Sequence, residues 1–227
     1  MTAIALAAAD APQRFALGAA DVEVWWAQLD VPPVRLAALR ALLPPEERRE
    51  GERYRCDPQR LLAARGLVRE ILGRRLGFDP ASLRLGRTAA GKPYLVDSPR
   101  ALAFNVSHAS EWLVVAASTH GAVGVDVERL RADVDCAAVA RHMFSAGEIS
   151  ALEALPAAER RWGFFSCWAR KEACLKAIGT GFAIAPDRVE VGIDAAPALV
   201  SFAGDTWCVR GIPAPRPDLI AAVAVHA

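Results

Sequence analysis

The sequence predicts an α+β protein in two halves, each running from a strand through helices to further strands. Three observations carry this. Short runs alternate apolar residues with period two, as in Val22, Val24, Trp26 and again in Val123, Val125, Val127. Between them lie longer stretches at helical spacing, such as Leu62, Leu67, Ile71 and Leu72 near one face. The order strand, helices, strands occurs twice, with no low-complexity linker between, so the halves are expected to pack as one unit. They are assigned to residues 1–110 and 111–227.

Along the chain, residues 22–29 form a strand broken by Pro32 and Pro33. Residues 35–43 and 46–53 are short helices on either side of Pro44 and Pro45. A clearer helix spans 59–76, and Gly77 closes it. Short strands follow at 83–87, 93–96 and 103–106, then apolar strands at 112–118 and 123–127. Helices are expected at 134–143, 145–155 and 160–178; the second opens on Ser145 with Glu148 three residues later, a capping box. Strands at 188–193, 198–202, 206–211 and 219–225 complete the chain.

The composition is that of a soluble globular protein. The net charge of +1 argues against a surface that grips nucleic acid as a whole. The cysteines, Cys56, Cys136, Cys167, Cys174 and Cys208, make no Cys-x-x-Cys pair and read as reduced thiols. Residues 1–9 are apolar but lack the basic start of a secretory leader, and no apolar window is long enough to cross a membrane. A cytoplasmic protein is expected.

Four short segments carry chemistry. In Gly124-Val125-Asp126-Val127-Glu128 a strand puts both carboxylates on one face. Paired acids repel unless something neutralises them, and a magnesium ion, which takes one or two carboxylates plus phosphate oxygens, does so. In Trp168-Ala169-Arg170-Lys171-Glu172-Ala173-Cys174-Leu175-Lys176 a helix puts Trp168, Glu172 and Lys176 on one face. Glu172 is then a third carboxylate for the metal, with Lys176 beside it for a phosphate. Lys171, about 100° round the helix, is placed on another part of an anionic ligand.

In Asn105-Val106-Ser107-His108 the neighbouring serine and histidine point opposite ways on a strand, which argues against a nucleophile–base pair. Both suit phosphate oxygens. Arg87-Thr88-Ala89-Ala90-Gly91-Lys92-Pro93 sets two cations round a glycine turn, a pattern suited to a phosphate monoester. Taken singly, each segment also has an ordinary structural reading: a solvated strand end, a surface ion pair, a flexible turn.

Together, in this order, the four segments resemble the phosphopantetheinyl transferases of the Sfp type, across residues 87–181 and more loosely through Arg48 to Arg69. Ala169 stands where that family often has Ser or Thr. The resemblance implies a pseudo-dimer of two similar α/β halves with the active site in the cleft between them, in a monomer. It implies that the chain moves the 4′-phosphopantetheine arm of coenzyme A to a serine of an acyl- or peptidyl-carrier protein, releasing 3′,5′-ADP.

By the same resemblance Asp126, Glu128 and Glu172 hold Mg2+, and Lys171 and Lys176 neutralise the phosphates. Arg87, Lys92 and His108 recognise the 3′-phosphate, Ser107 helps position it, and Pro93 and Asp126 also count among the coenzyme A-binding residues. Glu172 is the base, directly or through a metal-bound water. Arg53 and Arg60 are candidates for contact with coenzyme A or the carrier. The arginines from Arg48 to Arg75 read either as a mixed-charge helix face or as a surface for an acidic carrier. Two other functions fit the same residues: a magnesium-dependent coenzyme A pyrophosphohydrolase, and a catalytically silent carrier-binding module.

Overall fold

Two antiparallel sheets lie face to face, each backed by one long helix, in a computed structural model that describes residues 12–97, 102–179 and 184–227. The first half runs β1 (Gln13–Leu17), β2 (Ala20–Gln28), α1 (Pro33–Ala41), α2 (Pro45–Glu52) and α3 (Pro58–Leu76). It continues through the small β3 (Leu85–Arg87)–β4 (Pro93–Leu95) flap to β5 (Ala103–Ala109) and β6 (Trp112–Ser118). The second half runs β7 (Val123–Arg129), α4 (Cys136–Met143), α5 (Ala146–Ala154), α6 (Ala157–Ile178), β8 (Ala198–Phe202), β9 (Asp205–Ile212) and β10 (Leu219–His226). Residues 1–9, read above for the lack of a leader, lie outside the described residues.

The sheet orders are β1-β2-β6-β5 and β7-β10-β9-β8. Alternation explains the layers. Val22, Val24 and Trp26 of β2 and Val114 and Ala116 of β6 meet Val123, Val125, Val127, Ala221, Val223 and Val225 of the second sheet. The intervening Trp25, Ala27, Leu113, Val115 and Ala117 pack on Leu67, Ile71 and Leu72 of α3. Ile220, Ala222, Ala224 and Val209 pack on the Ala169, Ala173 and Ala177 stripe of α6. Both long helices end at a left-handed glycine, Gly77 and Gly179, where an L side chain is strained. No helix of the described residues is long and apolar enough to cross a membrane.

The two halves repeat one plan. Sheet order β2-β6-β5 matches β7-β10-β9, with three helices after the first strand in both. The likeness reaches single side chains. In the first half, buried Arg69 of α3 pairs with Glu47 of α2 at 2.6 Å and donates to Leu83 O at 2.6 Å. In the second half, buried Lys171 of α6 pairs with Glu148 of α5 at 2.6 Å and donates to Val189 O at 2.6 Å. Both glutamates are the third residue of their helix. Both carbonyls lie three residues beyond the proline that opens a short 3-10 turn, Pro80 or Pro186.

Three expectations change. The division at 110/111 cuts the β5–β6 hairpin: β6 pairs with β2 and β5, so the sheets change over between Ser118 and Val123. Residues 188–193 are not a strand. Their polar backbone is taken up by side chains instead: Val189 O by Lys171, Val191 O by Arg170 at 2.8 Å, and Val191 N–H by Glu148 at 2.8 Å. Strand β1 was not foreseen; its mixed sequence, Gln13-Arg14-Phe15-Ala16-Leu17, shows no clean alternation.

Candidate active site

The site lies on the seam where β5, the last strand of the first sheet, runs beside β7, the first strand of the second. Gly124 brings α6 onto β7: a Cβ there would stand 2.0 Å from Ala173 O and 2.4 Å from Ala177 N. That close approach sets Asp126 against Lys176. Asp126 is 3% exposed. Its Oδ1 accepts from Lys176 Nζ at 2.5 Å and from Ser107 Oγ at 2.9 Å, and Lys176 also donates to Ser107 at 2.9 Å. Ser107 is therefore spent on this cluster and is no nucleophile for His108. Lys176 has three N–H bonds, so one is left for a ligand.

A cleft of about 660 Å³ opens over this cluster, lined by Ser107, His108, Asp126, Glu128, Arg131, Trp168, Glu172 and Lys176. A smaller one of about 220 Å³ adjoins it across Val106, Glu172 and Lys176, and reaches the flap at Gly91, Lys92 and Pro93. Trp168 Nε1 donates to Glu128 Oε1 at 2.8 Å and so fixes that carboxyl.

The electrostatics are those of crowded, partly dry acids. Burial, then the charge of Asp126, pushes Glu128 up to about 7 against the pull of the Trp168 hydrogen bond. The same two causes raise Glu172. Burial raises Asp126, opposed by Lys176 and Ser107. Packing of its ring, then the charge of Lys176, lowers His108 at the rim.

These features fit a hard divalent cation. Asp126 Oδ2 is buried and accepts no hydrogen bond, and three carboxylates face one lysine. Among the described residues the carboxylates do not close round a common point, because Lys176 draws Asp126 and Trp168 draws Glu128.

Of the expected residues, Lys92, Pro93, Ser107, His108, Asp126, Glu128, Glu172 and Lys176 line the two clefts. Four do not. Lys171 is 1% exposed and turned away, held by Glu148, by Pro186 O at 2.8 Å and by Val189 O, with its ammonium 5.5 Å from the Phe144 ring centre. All three of its N–H bonds are taken up within the fold, and its counterpart Arg69 makes the matching glutamate and carbonyl contacts in the half without these acids. Arg60 forks onto Asp30 at 2.6 and 2.8 Å. Arg87 is exposed and donates to Gly91 O within the flap. Arg53 is exposed at the end of α2.

Much of the arginine-rich face is paired, Arg65 with Glu50, Arg74 with Glu70 and Arg75 with Glu23 among others. Three residues escaped sequence reasoning: Trp168 as the partner of Glu128, Gly124 as the close-approach point, and Asn105, whose Oδ1 accepts from Val125 N–H at 3.1 Å. Asn105 shares a strand face with Ser107, which was the available signal.

Comparison with known proteins agrees with this layout. The family description "4′-phosphopantetheinyl transferase, N-terminal" matches residues 32–120, and "4′-phosphopantetheinyl transferase superfamily" matches residues 122–211. The two matches meet where the sheets change over. The 4′-phosphopantetheinyl transferase HetI of Nostoc sp. is 31% identical over 94% of this chain and 91% of its own. A phosphopantetheinyl transferase of Thraustochytrium sp. is 32% identical over 77% of this chain and 67% of its own. The transferase Sfp of Bacillus subtilis is 29% identical over 66% of each.

Proposed function

This chain belongs to the 4′-phosphopantetheinyl transferase family, in its Sfp type, and from that premise we propose that it takes the arm from coenzyme A and delivers it to a carrier-protein serine, with 3′,5′-ADP leaving. The observation that carries this reading is the seam cluster: buried Asp126 with an unpartnered oxygen, flanked by Glu128, Glu172 and Lys176 over an open cleft. Both walls of that cleft come from one chain, which supports a monomeric enzyme.

Asp126, Glu128 and Glu172 would hold a divalent cation, magnesium in this reading; when bound, it withdraws charge from phosphate oxygens. Lys176 turns its free N–H to the transferring phosphate, and Ser107 and Asp126 keep that ammonium still while charge develops. His108 at the rim donates to a phosphate oxygen. Glu172 lines both clefts and is the group placed to take the carrier hydroxyl proton, directly or through a water. The expected products balance: the serine oxygen bonds to the β-phosphorus, the pyrophosphate bond breaks, and 3′,5′-ADP carries off the electron pair.

The test is intact-mass spectrometry with coenzyme A, magnesium and a panel of apo-carriers from fatty-acid, polyketide, peptide-synthetase and siderophore systems. A carrier mass gain that EDTA prevents, and whose rate Asp126→Asn reduces about 10²–10³-fold at a temperature where the variant is folded, is expected. 3′,5′-ADP without a modified carrier would point to a hydrolase. Nucleotide binding with no turnover on any carrier would point to a silent binding module.

A further inference from the structure

β7 carries two of the acids, yet it is an edge strand. β10 pairs with one side of it along residues 123–129, and among the described residues no strand pairs with the other. Backbone groups on a buried free edge need partners. Here they come from side chains of the first half. Asn105 Oδ1, on β5, accepts from Val125 N–H at 3.1 Å. Lys92 Nζ, at the base of the flap, donates to Val123 O at 3.1 Å. The same ammonium donates to Ala177 O at 2.7 Å, a carbonyl in the last turn of α6, where helices lack internal donors. Gly179 leaves room for the lysine stem: a Cβ there would stand 2.7 Å from Lys92 Cδ.

We propose that Lys92 and Asn105 are positioning residues that fasten β7 and the end of α6 to the first half, and thereby set Asp126 and Lys176 in register. Lys92 is then not the 3′-phosphate ligand that the sequence pattern suggested. Two of its three N–H bonds are committed to carbonyls, one on each of the elements that carry the site, so its ammonium cannot move out to a phosphate without releasing them. Asn105 acts one step from the chemistry: it holds Val125, and two residues along β5 Ser107 holds Asp126. The burial that this clasp demands is seen in Lys92 itself, whose pKa falls to about 8.

The backbone claim can be read without ligand, by amide hydrogen exchange on the full chain. Val125 N–H is expected to be protected in the wild type, to exchange at least tenfold faster in Asn105→Leu, and to be protected again in Asn105→Asp, which keeps an acceptor oxygen at the same reach. Should Asn105→Leu not fold, Asn105→Ser, too short to reach Val125, reads the same amide. The second arm is calorimetry, which rests on the coenzyme A reading. Lys92→Met should weaken coenzyme A and 3′-dephospho-coenzyme A by the same factor. Unchanged exchange at Val125, or a Lys92→Met loss confined to coenzyme A, overturns the proposal. A wild type that binds neither nucleotide would sink the coenzyme A reading, while the exchange result would still decide the clasp.

Discussion

Glu128 shows how one side chain couples stability to the site. Its folded pKa of about 7 stands above the ordinary 4.5, so the folded protein holds that proton more tightly than the unfolded chain. Its stabilising contribution is complete below about pH 4.5 and is lost as pH rises through about 7. Asp126 and Glu172 are raised as well, so they act in the same direction. The contribution of these three acids to the stability of the metal-free protein should therefore be smaller at pH 8 than at pH 5, with the lowered His108 acting in the opposite direction. Glu128 is partly open to water, so its share after screening is about 1–2 kcal/mol. Glu128→Gln should flatten that part of the melting-temperature profile, and magnesium should recover stability at pH 8. A profile that Glu128→Gln leaves unaltered would remove the charge crowding inferred here.

At the scale of elements, α6 works as two helices in one. Trp168, Glu172 and Lys176 face the cleft, while Arg170 and Lys171 clamp the segment behind it. The first face was legible, because residues four apart share a side of a helix. The second was not: whether a lysine one position away meets a ligand or a buried carboxylate depends on α5, and no local pattern of α6 contains that. Residues 188–193 were misread for the same reason, since a strand's alternation looks identical when side chains replace the neighbouring strand.

Two variants test this division. Lys171→Met leaves Glu148 buried and unpaired and should cost about 3–5 kcal/mol in chemical denaturation. Combining it with Glu148→Gln should cost less than the sum of the two. At a temperature where Lys171→Met is folded, its kcat and its KM for coenzyme A should stay near wild type; a hundredfold loss would return Lys171 to the phosphates. Gly124→Ala drives a methyl into the backbone of α6, and should destabilise by about 3 kcal/mol and lower transfer together, as Asp126 and Lys176 part.

For the molecule as a whole, repetition raises the question of a second site. Under the correspondence of β2-β6-β5 with β7-β10-β9, the β5–β7 seam has a counterpart between β9 and β2. That counterpart is closed. β1 pairs along the edge of β2 that corresponds to the free edge of β7, and its Phe15 ring lies under the Arg210 guanidinium of β9 at 5.2 Å. Glu23, the buried acid of β2, pairs with Arg75 of α3 and with Arg14 of β1 at 3.2 Å, so its charge needs no cation. The twofold plan thus offers one open seam with carboxylates in excess and one sealed by a strand that brings its own arginine. Calorimetric titration with coenzyme A and magnesium should give one nucleotide per chain, and Glu23→Gln should leave that affinity unchanged. A stoichiometry of two would mean that β1 does not close the second seam, and that asymmetry would have to be sought in the flap instead.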